Sequence, residues 1–344
     1  MSFTEITSLR TNTVLNNFCG GGRTRYNNLD KLKVLCSFFV VCGHAPFFGT
    51  FGVFFNTIVM CSVPVFFLIS GYFYKQDTAA KQAKKIFRLM LIANIIYFVW
   101  KLFLSIANNE LVFFLKSTFT FKNLIKFLIF NESHLQSHLW YLGAILYVTI
   151  IVTFICKLKY GKDFLFLAAP FLLIGDLIFG KYSIAIFHRE LPYILVRNWL
   201  FVGLPYFTVG IWIKENQIKV KKNKLIIIIG ISTMTSMMER WVLVSNQLNP
   251  RRADCISTIF LSLSLFLYFL HYVDPGHNFV SKIGREYSTW IYIFHPIIIF
   301  ILEEIMIRIG IFDIYVYIRP IIVFLVTTLL IDMTAKLFMR IKSI

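Results

Sequence analysis

The chain has 344 residues, of which 58% are hydrophobic and only 15% charged, with 38 Phe among them. This balance excludes an ordinary soluble domain, and runs such as "STIFLSLSLFLYFLHYV" approach the roughly 20 apolar residues that a bilayer core of about 30 Å demands. The net charge of +18 does not indicate nucleic acid, because Lys and Arg stand in short clusters between apolar runs, the pattern that sets membrane topology.

In chain order, residues 1–28 are polar and carry "CGGGRTR" at 19–25. They lack the apolar core of a signal peptide, so a cytoplasmic arm without a cleaved leader is expected. The glycines there lack the strand and the Lys-Ser/Thr ending of a phosphate-binding loop. Helical spans are expected at 32–50, 52–74, 86–107, 139–157, 163–180, 193–213, 224–245, 255–273, 286–307 and 315–338. Strand alternation is absent, and lipid requires each backbone polar group to be satisfied internally. The expected fold class is therefore an all-α integral membrane protein, with about ten transmembrane helices in a single bundle from residue 29 to 344.

An even number of spans puts both termini on one side. Placing them in the cytoplasm leaves Lys and Arg inside over outside by about two to one, as the positive-inside rule requires. In the longest connection, 108–138, "LVFFLKSTFTFKNLIKFLIF" is broken by Lys116, Lys122 and Lys126. It reads as a helix lying at the outer interface. The six cysteines show no paired spacing and read as packing residues. No internal repeat or separate soluble domain is visible.

The first span, "LDKLKVLCSFFVVCGH", holds two ionisable groups. Eleven residues set Lys33 and His44 about 20° apart around a helix and about 16 Å apart along it, so they share a face at two depths. Lys33 can snorkel to the headgroups while His44 lies deeper. Anchoring and packing explain the pair as well as chemistry does, although intramembrane ionisable groups are functional candidates by default.

This first helix resembles that of the membrane acyltransferase 3 family, whose signature is a basic residue, usually Arg, ten intervening residues, then His. Here Lys33 stands in the Arg position, which keeps the charge and loses the planar fork of donors. "VPVFFLISGYFYKQD" (63–77), "HLWYLGAILY" (138–147), "RNWLFVGLPYFTVGIWI" (197–213) and "STWIYIFHPIIIF" (288–300) resemble later segments of the family in the same order. The resemblance runs from residue 29 nearly to the end. It implies an enzyme that transfers an acyl group, commonly acetyl, from cytoplasmic acyl-CoA to a hydroxyl of an envelope glycan, lipid-linked sugar or peptidoglycan. The implied setting is a bacterial cytoplasmic membrane, with acetyl-CoA as a co-substrate and no permanently bound cofactor.

With that resemblance, each candidate has a chemical role and a structural alternative. Lys81, Lys84, Lys85 and Arg88 line one side of a helix, where they can hold the phosphates of CoA or touch anionic lipid. His44 is the expected reaction centre, either as general base toward the acceptor hydroxyl or as carrier of a transient acyl group, with Lys33 assisting. Arg197 and Glu239 can position acceptor or carbonyl; Arg197 also fits a headgroup boundary, and Glu239 a local pair with Arg240. Ser70 precedes Gly71, and close helix packing is the stronger reading there. His134 and His138 can face each other across a helix turn, but no third ligand or intervening Glu makes a zinc site, and no metal is expected. His138, Trp140 and Tyr141 fit an acceptor entrance or a membrane boundary. His295, before Pro296, fits substrate contact or packing at a kink. A transporter or exporter of an envelope precursor is the main rival, and a non-catalytic partner in an envelope assembly is the other.

Overall fold

The computed structural model describes residues 26–248 and 254–342. The arm at 1–25, with its glycine stretch and Cys19, lies outside the described residues; Asn27 and Asn28 at its end open the first helix. All regular elements among the described residues are helical. In order they are α1 (Asn27–His44), α2 (Gly49–Val59), α3 (Ser62–Tyr72), α4 (Ala79–Ala107), α5 (Leu111–Thr118), α6 (Phe121–Phe130), α7 (Trp140–Ile155), α8 (Gly161–Phe179), α9 (Ser183–Phe187), α10 (Leu204–Glu215), α11 (Lys222–Ser245), α12 (Ile256–Tyr272), α13 (Phe279–Glu286), α14 (Ser288–Arg308) and α15 (Phe312–Lys342). Short 3₁₀ turns at Ser137–Leu139 and Tyr193–Leu195 and a π turn at Trp199–Gly203 complete the set.

Among the described residues, six stretches are long and apolar enough to cross a membrane: Gly49–Tyr72, Ala79–Ala107, Ser137–Ile155, Lys222–Ser245, Ser288–Arg308 and Phe312–Leu337. The chain is a multi-pass membrane protein. The other expected spans are also helical but fall short by length or charge. Helix α1 carries Asp30, Lys31 and Lys33 within 18 residues, and α8 carries Lys162, Asp163 and Asp176. Helices α10 and α12 have 12 and 17 residues. Phe87, Leu91, Ile95, Val99 and Phe103 form an exposed stripe down α4 at four-residue spacing, a face suited to lipid.

Three expectations change in detail. The second expected span is two helices, α2 and α3, separated at 60–61 ahead of Pro64. The interfacial segment is also two helices, neither with a buried side chain. Thr120 caps the second by accepting from the Asn123 N–H, and Asn123 donates to the Ser117 carbonyl at 2.7 Å, which turns the chain between them. The sixth span is not helical from 193: a 3₁₀ turn and extended Asn198 precede the π turn at Trp199.

The helices pack as two units. The first comprises the described parts of Met1–Ile69, Ile218–Ser245 and Cys255–Ile344. In it, α1 packs against α13, α14, α12, α15 and α2, while α11 pairs with α12. Val41, Ala45, Ile283, Tyr287, Ile291, Tyr315 and Val323 form its buried core, and Phe39, Cys42, Val59, Cys61 and Leu261 a second cluster. The second unit comprises Ser70–Gln217 with the described residues of Asn246–Asp254. In it, α4 packs on α7, and α8, α10 and the π turn pack together. All five described cysteines are free thiols.

Candidate functional site

In the first unit the site grows from the two ends of α1. At its start, Asn28 donates to the carbonyls of Phe269 and Leu270, both at 2.8 Å, and Asn27 donates to that of Pro275 at 2.8 Å. These bonds seat the helix on the end of α12. Gly284 of α13 lies so close that a Cβ there would meet the Asp30 carbonyl oxygen at 1.8 Å. Lys33 donates to Asp30 Oδ1 at 2.9 Å, in an ion pair whose side chains are only 13% and 9% exposed. A lysine ammonium reaches a carboxylate as a point charge, without the planar fork by which a guanidinium binds in two places.

At the other end, α1 stops at His44, because Pro46 cannot continue the ladder; the Ala45 N–H donates the last bond, to Val41, at 2.8 Å. His44 is exposed, and its ring lies against that of His295, with centroids 5.0 Å apart and planes tilted by 52°. His295 is fully buried inside α14. Pro296, next to it, has no N–H for the helix ladder. His295 Nδ1 lies 2.9 Å from the Ile291 carbonyl, which can only accept, so Nδ1 carries the proton and the lone pair of the neutral ring is at Nε2. Arg319 of α15 braces the turn after His44: it donates to the Pro46 carbonyl at 3.0 Å and to Glu303 at 2.9 Å. Glu239, on α11, accepts from the Ile256 N–H at 3.3 Å and from the Ser257 hydroxyl at 3.4 Å, at the start of α12.

In the second unit, α4 carries two polar ends. Lys81, Lys84 and Arg88 are exposed and Lys85 is partly buried, on one side of its first turns. Toward its other end, Asn94 accepts from the Ser133 hydroxyl at 2.7 Å, and the Tyr97 ring meets His138 edge-on with centroids 5.2 Å apart. Asn131 builds the wall opposite. In the left-handed conformation (φ 53°) that asparagine tolerates, it ends α6, donates to the Trp140 carbonyl at 2.8 Å and accepts from the Trp199 N–H at 3.1 Å.

Asn198 in turn caps the π turn through the N–H groups of Leu200 and Phe201, and donates to the carbonyls of Ile194 and Leu195. Arg197 is thereby held over the rings of Tyr193 and Trp140, at 5.0 and 5.7 Å. Glu132 lies 3.8 Å from Arg197 Nη2 and 3.9 Å from Lys126. His134 sits in irregular chain rather than on a helix turn with His138, so the two do not form the i, i+4 pair that the spacing allowed. Burial, and then the charges of Lys101 and Lys126, hold its pKa below the ordinary histidine value, with Glu132 opposing.

The structure therefore brings His44 to His295, His138 to Tyr97, and Arg197 to Trp140 and Tyr193, with Tyr141 following Trp140 on α7. Lys33 stays eleven residues from His44, paired to Asp30. Asp30, Arg319, Glu303, Glu132 and Tyr193 are neighbours that sequence reasoning missed. A signal existed for Glu303 and Arg319, since charges inside apolar spans are rarely idle.

The fold is that of a multi-pass helical membrane protein whose polar side chains gather at a few sites along otherwise apolar helices. The sequence model of the acyltransferase 3 family, described as an acyltransferase domain, matches residues 26–333. The chain belongs to this family and is an acyltransferase. Neither the curated proteins nor the solved structures contain a match to it.

Proposed function

We propose that this acyltransferase moves an acyl group, acetyl first of all, from cytoplasmic acyl-CoA to a hydroxyl of a cell-envelope saccharide or lipid-linked sugar. It does so in the bacterial cytoplasmic membrane, with about ten spans and both termini inside. The observation that carries this reading is the contact of His44 with His295, two imidazoles brought together from α1 and α14. Accessible His44 acts as the general base. It takes the proton of the acceptor hydroxyl as that oxygen attacks the thioester carbonyl; the C–S bond then breaks, and the imidazolium returns the proton to the CoA thiolate. His295 positions the His44 ring. Lys81, Lys84, Lys85 and Arg88 bind the CoA phosphates by charge-assisted hydrogen bonds.

Purified protein in lipid nanodiscs, supplied with acetyl-CoA and a panel of saccharides, tests the reading through release of free CoA thiol and acetylation of the sugar. His44→Ala removes both while the protein remains inserted; retained acetylation overturns the assignment. Lys84→Glu with Arg88→Glu raises the KM for acetyl-CoA and leaves the acceptor KM in place.

A further inference from the structure

The wall around Arg197 has a charge imbalance that a neutral sugar does not answer. Two cations, Lys126 and Arg197, share one carboxylate, Glu132, and a third, Lys101, stands close enough to act on His134 beside them. Glu132 does not satisfy Arg197: at 3.8 Å it lies within Coulomb range but beyond a hydrogen bond. The Nε–H of Arg197 is buried and meets no acceptor among the described residues. Its guanidinium lies over two aromatic rings, its side chain only 14% exposed, held from behind by the Asn198 bonds. A planar fork of donors fixed in place with its Nε–H unpartnered among the described residues is suited to bidentate capture of a carboxylate or phosphate. The aromatic rings beside it, Trp140 and Tyr193, offer faces on which a sugar can lie.

We propose that the acceptor carries an anionic group, a carboxylate or a phosphate, and that this group docks on Arg197 with Lys126 and Lys101 beside it. The proposal rests on the reading of the chain as a saccharide acyltransferase, and narrows its acceptor to an acidic sugar or a sugar phosphate. The site lies toward the end of α4 remote from the Lys81–Arg88 strip, so the acidic acceptor and the phosphates of CoA have separate cationic sites along one helix.

The test is equilibrium binding to the full chain in nanodiscs of neutral phosphatidylcholine, with methyl glucuronide, methyl glucoside and glucose 1-phosphate as probes. The anionic probes are expected to bind at least about 10-fold more tightly than the glucoside, the scale of a charge-assisted hydrogen bond, and to lose that advantage at high salt. Arg197→Gln removes the preference and Arg197→Lys keeps part of it. Lys126→Gln, at a partly exposed side chain whose loss leaves the fold in place, weakens the anionic probes alone.

Equal binding of charged and neutral probes, or a preference that survives both Arg197→Gln and Lys126→Gln, overturns the proposal. So does a result in which phosphatidylglycerol added to the nanodisc binds in an Arg197-dependent way and the sugar anions do not, because the site then serves a lipid headgroup. CoA release is followed in the same preparations. No anion preference in the parent chain while it still releases CoA counts against this proposal alone, and Arg197-dependent anion binding without any acetyl transfer counts against the assigned reaction alone.

Discussion

The imidazole of His44, at the end of the first helix, lies 5.0 Å, centroid to centroid, from that of His295 in the next-to-last helix. One ring is exposed and the other fully buried, and the buried one is tied to the Ile291 carbonyl at 2.9 Å. In the proposed mechanism this asymmetry divides the work: the accessible ring meets the substrate, and the buried ring sets its position.

That division predicts unequal mutants. His44→Ala should lower kcat by about 10²- to 10⁴-fold, the usual contribution of a general base. His295→Gln should lower kcat by a smaller factor and leave the KM for acetyl-CoA unchanged, measured as CoA release in nanodiscs. Equal losses in both would mean that the buried ring takes part in the chemistry directly.

Lys33, partly buried, pairs with buried Asp30, and this changes how a Lys33 mutant should be read. Lys33→Ala strands a buried carboxylate, which is destabilising, although less than the loss of a partner from a fully buried pair. Its thermal stability in detergent should fall, and Asp30→Asn in the same chain should restore it. If activity returns with stability, Lys33 supports the first helix; if activity stays lost in the stable double mutant, its charge serves the reaction. Lys33→Arg should keep both.

Gly284 and Gly71 each make a close contact that no larger residue can make. A Cβ at Gly284 would lie 1.8 Å from the Asp30 carbonyl oxygen, and one at Gly71 would lie 1.9 Å from that of Phe207. Gly284→Ala and Gly71→Ala should each lower the unfolding midpoint clearly, whereas Gly230→Ala, with open space around it, should not lower it. Thermal unfolding of the three variants, followed by tryptophan fluorescence, checks the contrast.

Burial pushes the Asp254 carboxyl up from 3.8 to about 7, against the opposing charge of Lys181. The folded chain then keeps a proton that the unfolded chain releases near its ordinary value. This contribution is therefore full below pH 3.8, is lost as pH rises toward about 7, and is flat above. Asp254→Asn cannot titrate, so its unfolding midpoint should fall less than that of the parent chain between pH 5 and 7. Parallel profiles would show that the carboxyl is not held protonated.

How much was legible in the sequence differs from residue to residue. The apolar runs located the helices, and the spacing of Lys33 and His44 put them on one face, because both follow from local periodicity and composition. The expected start of the sixth span failed because Asn198 spends its side chain on four backbone groups, a local competition that hydropathy does not record. The interfacial segment divided for a similar reason, at Thr120 and Asn123.

By itself, the sequence determined the membrane setting, the helical class and the family resemblance, since these depend on the solvent each segment prefers and on residues close along the chain. Tertiary structure alone decided which distant groups meet. Lipid holds every apolar helix about equally well, so which helix packs beside which is set by close contacts such as Gly284 on Asp30 and by polar ties such as Arg319 on Pro46. Such contacts bring His295 to His44, and the Asn198 bonds hold Arg197 across two aromatic rings with its Nε–H meeting no acceptor among the described residues.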